Sequence, residues 1–185
     1  MKQRINRTVQ YVQNLKLTTA ILFFAGTSFV YADSCLTNYD NLAFGLVIQK
    51  TNLIAGERIP VSMTVSNMLG HERKIPWATG NPCGTGFGEY IITEKTSGKR
   101  LECQLTPDDR NRYVSQSLGI FAGHETQIFE HDLVGGYAVT NAGVYLVEAT
   151  GRFEFAKSPG KYFNLTTPPI TVLLSPRVEA NASAK

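Results

Sequence analysis

Two stretches of the sequence pair a histidine with a glutamate, the residue types that bind zinc and activate water in metalloproteases. The pairs are His71-Glu72 and His124-Glu125. A zinc-binding helix needs a second histidine four positions after the first, so that both ligands lie on one helical face. Those positions hold Ile75 and Ile128, and both stretches have the pattern of a turn followed by a strand. We therefore predict no metal site and no cofactor.

A denser group of titratable side chains follows the second pair, at Glu130, His131 and Asp132. On a strand, His131 shares a face with Phe129, whereas the two carboxylates point to the opposite face. An ordinary solvated strand explains this group better than a catalytic cluster does. The sequence also shows no glycine-flanked nucleophilic serine, no phosphate-binding glycine loop and no poised cysteine–histidine pair. We predict that the protein is not an enzyme.

The N-terminus has the pattern of a cleavable export signal over residues 1–32. Four basic residues precede the first acidic one: Lys2, Arg4, Arg7 and Lys16. An apolar run over residues 17–30 follows, and the small residues Val30 and Ala32 suit signal peptidase. A membrane anchor is the alternative, but the run contains polar residues and is shorter than the ~20 residues that a span needs. We expect cleavage after Ala32 and a periplasmic or secreted mature chain.

Removal of this leader changes the charge balance of the chain. The 185 residues carry a formal charge of +3, and loss of the first 32 with their four basic side chains leaves 153 residues with a charge of −1. The basic balance therefore belongs to the leader, and we expect no nucleic-acid partner. A chain of this size fits one domain with a sizeable core, and we expect no membrane span in its mature form.

Three cysteines remain after cleavage: Cys35, Cys83 and Cys103. An oxidising compartment permits one disulfide and one free thiol, and the sequence leaves three pairings open. We favour Cys83 with Cys103, because both flank a predicted hairpin, while Cys35 lies in a segment that we expect to be irregular. A lipid-modified Cys35 is a weaker alternative, because no large aliphatic residue stands three positions before it. The cysteine spacing does not fit a metal site.

Alternation of apolar and polar residues predicts strands along the whole mature chain. The clearest pattern covers residues 58–66, and another covers residues 42–48. Further strands are predicted near residues 72–77 and over residues 89–95, 100–105, 126–133, 144–149 and 170–174. Residues 33–41 are expected to be irregular, and turns are expected at Thr51 to Gly56 and at Pro159-Gly160. Residues 176–185 are expected to form a disordered tail.

The sequence around Tyr145 indicates how these strands are arranged. Gly143-Val144-Tyr145 at the start of a strand is the pattern of a tyrosine corner, in which the phenol packs inward and its hydroxyl bonds backbone a few residues upstream. We predict an all-β, immunoglobulin-like Greek-key sandwich of seven to nine strands over residues 33–175. Trp77 is placed to pack in its core; the alternative is an exposed tryptophan in a ligand site.

The region from Leu42 to Leu174 resembles bacterial secreted immunoglobulin-like domains. The elements that carry this resemblance are Gly56-Glu57, Gly123-His124-Glu125-Thr126, Asp132-Leu133 with Tyr137, and Gly143-Val144-Tyr145. Similar domains accompany secreted proteases and also occur alone in exported proteins. The motifs are architectural, so the resemblance implies a fold more than a function.

One loop resembles a motif of chagasin-type cysteine-protease inhibitors, which are also immunoglobulin-like. Asn81-Pro82-Cys83-Gly84-Thr85-Gly86-Phe87 is similar to their Asn-Pro-Thr-Thr-Gly-aromatic loop, with one extra residue. Gly135-Gly136 is similar to their second, glycine-rich loop. Their third motif, Arg-Pro-aromatic, is absent; Ser158-Pro159-Gly160-Lys161-Tyr162 stands roughly where it belongs. This resemblance implies inhibition of proteases through the first loop.

We therefore expect a non-enzymatic binding module whose partner is another protein. Function in such sandwiches usually lies in loops held on a rigid frame. The contact residues that we predict are Asn81, Pro82, Gly84, Thr85, Gly86 and Phe87 in one loop, and Gly135, Gly136 and Tyr137 in a second. The alternatives are a protease inhibitor that uses loop 79–87 and an accessory domain of a secreted hydrolase system.

Overall fold

A computed structural model of the protein describes residues 33–79, 83–85, 88–104 and 115–177. These residues form twelve strands and one short 3-10 turn, η1. The elements are β1 Asp33–Tyr39, β2 Leu42–Ile48, β3 Asn52–Ile54, β4 Pro60–Asn67, β5 Arg73–Thr79, β6 Gly84–Thr85, β7 Gly88–Glu94, β8 Ser115–Phe121, β9 Thr126–Asp132, η1 Leu133–Gly135, β10 Gly143–Phe155, β11 Ser158–Thr166 and β12 Ile170–Ser175. The predicted leader and residues 178–185 lie outside the described part of the chain.

The strands form an all-β sandwich, as predicted. One sheet has the order β1-β2-β4-β9, and a larger sheet has the order β3-β12-β10-β7-β6, with β11 also paired to β10. A two-stranded sheet joins β5 to β8. Among the described residues, no helix is long and apolar enough to cross a membrane. The count of seven to nine strands was wrong, because short strands and edge strands lack a clear alternation.

Alternating apolar side chains from the two larger sheets meet in one core. On β2 the inward residues Leu42, Phe44, Leu46 and Ile48 are fully buried. Met63 on β4 and Val147 on β10 belong to the same cluster. Phe44 and Phe153 pack edge to face across it, with ring centroids 5.3 Å apart. Burial of one face of each sheet therefore holds the sandwich together.

The N-terminal segment is a strand, and its prediction as irregular was wrong. β1 pairs antiparallel with β2 along its full length, from Asp33 opposite Ile48 to Tyr39 opposite Leu42. The two residues between these strands, Asp40 and Asn41, both have positive φ, at 51° and 57°. Asp and Asn tolerate this conformation, and a two-residue loop with two positive φ values matches the twist of a hairpin.

The hairpin between β10 and β11 also differs from the prediction. Pro159 and Gly160 lie inside β11 rather than in a turn, and the chain reverses at Ala156 and Lys157. Gly160 has a φ of 80°, and the register between the two strands shifts after Glu154. The strand predicted over residues 100–105 is reduced to isolated bridges at Arg100 and Cys103.

Tyr145 has the geometry that its sequence pattern predicts. Its side chain is buried, and its hydroxyl donates to the carbonyl oxygen of Asn141 at 3.0 Å. A Cβ at Gly143 would lie 3.5 Å from the tyrosine ring, an ordinary van der Waals distance, so the ring packs over this glycine. For Trp77, the description covers the backbone of β5 and not the side chain, so its predicted core position stays a prediction.

A buried arginine joins two turns that are distant in sequence. Arg73 donates to the carbonyl oxygen of Asp40 at 2.6 Å and pairs with its carboxylate at 3.0 Å. The same guanidinium donates to the carbonyl oxygen of Glu154 at 2.6 Å. The Asp40 carboxylate also accepts from the amide of Ala156 at 2.7 Å. The β1–β2 turn and the β10–β11 turn are therefore held against each other.

The glycine-glutamate motifs at Gly56-Glu57 and within residues 122–125 build the same type of turn. The Glu57 carboxylate accepts from the amide of Ile54 at 3.0 Å, and the Glu57 amide donates back to the Ile54 carbonyl at 2.9 Å. Glu125 repeats both bonds with Ala122, at 2.6 and 3.1 Å. The hydrogen bond from the Ile54 amide lowers the pKa of Glu57. Both motifs therefore shape turns of the fold.

Candidate functional site

The structure describes the middle of the predicted contact loop, residues 83–85. Residues 80–82, 86 and 87 lie outside the described part of the chain. They include four predicted contact residues: Asn81, Pro82, Gly86 and Phe87. Gly84 and Thr85 form β6 and pair with Glu89 and Gly88 of β7. Cys83 precedes this strand and is buried. The middle of the loop is therefore attached to the larger sheet.

Cys83 and Cys103 form a disulfide, as predicted, with their Cα atoms 5.9 Å apart. The bond closes a loop of 20 residues along the chain. Cys35 is a free thiol on β1, half-buried, and its Sγ donates to the carbonyl oxygen of Pro168 at 3.0 Å. Burial raises the pKa of this thiol, so Cys35 stays protonated in the folded protein near neutral pH.

The disulfide brings the two predicted contact segments together. Cys103 forms an isolated antiparallel bridge with Tyr137. The carbonyl oxygen of Gly136 accepts from the amide of Gln104 at 2.9 Å and lies 3.3 Å from the Cys83 sulfur. Gly136 and Cys83 of loop 79–87 are therefore in direct contact, although they are 53 residues apart in the sequence.

Tyr137 supports this site and does not present its side chain to a partner. The residue is only 3% exposed. Its hydroxyl lies 2.7 Å from the carbonyl oxygen of Tyr90 and 3.0 Å from that of Cys83. Gly136 is buried as well, whereas Gly135 is exposed. Of the second predicted contact segment, the exposed part is Gly135, and the predicted contact roles of Gly136 and Tyr137 give way to structural ones.

Asp132 fixes the 3-10 turn that leads to this segment. Its carboxylate accepts from the amides of Val134 and Ile59, at 3.2 and 3.1 Å, and from Nε of Arg58 at 2.7 Å. Partial burial opposes ionisation of the carboxyl group, but these three hydrogen bonds outweigh it and lower the pKa of Asp132. A charged cap on η1 therefore sets the position of Gly135 at neutral pH.

His131 and Tyr90 connect the two sheets beneath the site. The Tyr90 hydroxyl lies 2.9 Å from Nδ1 of His131, and the two rings pack edge to face. Burial lowers the pKa of His131, against a hydrogen bond to the Phe129 carbonyl that raises it. Glu130 points away into solvent, as the strand pattern predicted. The sequence carried no sign of Tyr90, because its role depends on which strand faces β9.

No group of three His, Cys, Asp or Glu side chains suited to a metal ion occurs among the described residues. The histidine–glutamate pairs lie at turns: His124 has a φ of 61°, and Glu125 caps its own turn. Gly123 is pressed against the backbone of Gly70, where an added Cβ would lie 2.6 Å from the Gly70 carbonyl carbon. These residues therefore have structural explanations in this fold.

The similarity of this chain to known proteins is weak. Among solved structures, the C-terminal domain of wzt matches with a TM-score of 0.42 and 10% sequence identity, over 83% of this chain and 77% of that chain. No protein-family model and no curated protein matches the sequence. The resemblances to immunoglobulin-like and chagasin-type domains therefore stay predictions.

Proposed function

We propose that the protein is an exported, non-enzymatic binding module that contacts a protein partner through loop 79–87 and the neighbouring Gly135. The observation that carries this proposal is that both segments are attached to the Cys83–Cys103 disulfide and its neighbours. The disulfide fixes Cys83 to Cys103, and the Tyr137 hydroxyl lies within hydrogen-bonding distance of the carbonyl oxygens of Cys83 and Tyr90. Export enters the proposal from the leader pattern, with which a disulfide is compatible.

Attachment at Cys83 favours binding for an entropic reason. A loop that becomes ordered on association loses conformational freedom, and this loss subtracts from the affinity. The carbonyl oxygen of Cys83 accepts from the Tyr90 amide at 3.1 Å and from the Tyr137 hydroxyl, while its sulfur is bridged. Attachment at Cys83 divides the loop into two short segments, and this lowers the conformational entropy that the loop can lose on association.

A capture experiment tests the binding role. The purified chain, immobilised, should retain a protein from the envelope fraction of the exporting cell, and the retained protein should be identified and its affinity measured with purified components. Phe87→Ala in the loop should lower that affinity at least tenfold, because apolar anchors dominate interface energetics. Met68→Ala is the matched control, since Met68 is an exposed apolar residue in a distant turn. Equal affinities of both variants would place the contact surface elsewhere.

The same proteins decide between general binding and protease inhibition. Papain-like and serine proteases are assayed with the wild-type chain and with Phe87→Ala. Inhibition by the wild type that is lost in the variant would assign the loop to protease recognition. Intact mass of the exported chain tests the leader: a mature N-terminus at Asp33 is expected, and retention of residues 1–32 would refute export by this signal.

A further inference from the structure

Strand β1 is an end strand of the four-stranded sheet. Its side that faces away from β2 is here called the β1 edge. Within the described residues, β1 pairs only with β2, and its register is unbroken over all seven positions. An exposed strand edge presents unpaired N–H and C=O groups that bind another strand readily. Natural proteins protect such edges with charged side chains, proline, bulges or short length.

The centre of the β1 edge lacks these protective features, whereas the other ends of the two larger sheets have them. Its sequence, DSCLTNY, contains neither lysine nor proline, and its one charged residue, Asp33, lies at the end of the strand. β11 carries Pro159 and Lys161 and lies beside a register shift. β9 carries Glu130 and Asp132, and the ends of the larger sheet, β3 and β6, have only three and two residues. Of the two larger sheets, the β1 edge is therefore the one whose centre is open to pairing.

The centre of β1 exposes an apolar side chain on the outer face of the sheet. Leu36 is the fourth of seven residues and is 46% exposed. A Cβ added at Gly45 would lie 3.2 Å from Cδ1 of Leu36, so the Leu36 side chain covers that glycine on the outer face. A strand that pairs with the β1 edge and places an apolar residue opposite Leu36 would cover this side chain.

We propose that two copies of this chain pair through their β1 edges, antiparallel and about a two-fold axis at Leu36. A two-fold interface brings the same patch of each copy together. In this register all seven residues pair, Leu36 lies opposite Leu36 of the second copy, and Asp33 lies opposite Tyr39. Because Asp33 is the strand's one charged residue, no like charges face each other. The two four-stranded sheets become one sheet of eight strands.

Sedimentation equilibrium of the purified full chain tests the association. The expected mass is that of a dimer, with dissociation on dilution. Leu36→Lys places two positive charges opposite each other and should raise the dissociation constant at least tenfold. Ile128→Lys is the matched control, because Ile128 is even more exposed, at 63%, and lies on the other edge strand of the same sheet. This control should leave the dimer unchanged.

Cysteine cross-linking tests the register without weakening the interface. Opposite residues of paired antiparallel strands have Cα atoms about 4.5–5.5 Å apart, within the range that a disulfide spans. In a Cys35→Ser chain, Leu36→Cys should form a covalent dimer after oxidation with diamide. Ser34→Cys in the same chain should not, because the two positions lie roughly 13 Å apart in this register.

The outcomes separate this dimer from other associations. A monomer at all concentrations, or a monomer that captures an extended peptide at β1, would overturn the proposal in favour of a different occupant. A dimer that survives Leu36→Lys, or is lost equally in Ile128→Lys, would place the interface elsewhere. Equal cross-linking of both cysteine variants would refute the two-fold register. Circular dichroism of each variant confirms that loss of the dimer is not loss of the fold.

Discussion

Substitution of Tyr137 by phenylalanine removes one hydroxyl and keeps the ring in place. That hydroxyl lies within hydrogen-bonding distance of the carbonyl oxygens of Tyr90 and Cys83, and all three groups are buried. A hydroxyl has one proton, so the substitution removes one donated bond. An unmet buried acceptor costs about 1–3 kcal/mol. Because the Cys83 oxygen keeps the Tyr90 amide as a donor, we expect a loss of about 1–2 kcal/mol.

Tyr145→Phe is the matched comparison, since it removes the same group from a second buried tyrosine. The acceptor there is the carbonyl oxygen of Asn141, which belongs to an exposed residue. Water replaces the lost donor at such a position, so the expected loss is only about 0.5–1 kcal/mol. The larger effect at Tyr137 is the prediction, because burial of the acceptor decides how much an unmade hydrogen bond costs.

Equilibrium unfolding in urea, with the disulfide intact, measures both losses. For a domain of this size, 1 kcal/mol corresponds to a change in Tm of roughly 2–4 °C, so differential scanning calorimetry gives an independent check. Equal losses in the two variants, or a larger loss at Tyr145, would refute the reasoning. A loss of binding in Tyr137→Phe with unchanged stability would mean that the hydroxyl acts on the loop and not on the fold.

Gly123→Ala should lower the free energy of unfolding by about 1–3 kcal/mol, because the added Cβ would lie 2.6 Å from backbone that cannot move aside. Gly135→Ala, with no atom within 4 Å of the added Cβ, should change it by less than about 0.5 kcal/mol in the same urea titration. Replacement of Cys83 and Cys103 by alanine opens a 20-residue loop and should lower stability by about 3 kcal/mol, measured against the oxidised chain. Burial lowers the pKa of His131 from its ordinary value of 6.5, so the unfolded chain binds the proton first and stability should fall as the pH decreases below about 6.5; His131→Gln should remove that decrease, and an unchanged pH profile would contradict it.

Local patterns in the sequence predicted the parts of the fold that depend on local chemistry. Alternation of apolar residues found β2, β4 and β12 because each buries one face. The disulfide was predicted from its position around a predicted hairpin in a chain that we expect to be exported. β1 was missed because its inward side chains, such as Cys35, are only partly buried. The Asp40-Asn41 pair was the available signal for the hairpin that contains it.

The sequence nominated the two segments of the candidate site but not their arrangement. Glycine-rich composition indicated both segments, yet the contact between Gly136 and Cys83 depends on the register of strands far apart in sequence. The same limit applies to Tyr137, whose aromatic side chain fits a contact surface as well as a buried support. Only the packing of β7 beside it decides between these roles. The Tyr90–His131 pair was missed for the same reason.

The Arg73 hydrogen bonds have a kinetic consequence for folding. The carbonyl partners of this guanidinium lie 33 and 81 residues away along the chain, so neither bond forms until β1, β5 and β10 already stand in their native places. Contacts that close such long loops form late, after the entropy of closure has been lost for other reasons. Contacts absent from the transition state act on the unfolding rate alone. We therefore expect the loss of the Arg73 hydrogen bonds to raise the unfolding rate more than it lowers the folding rate.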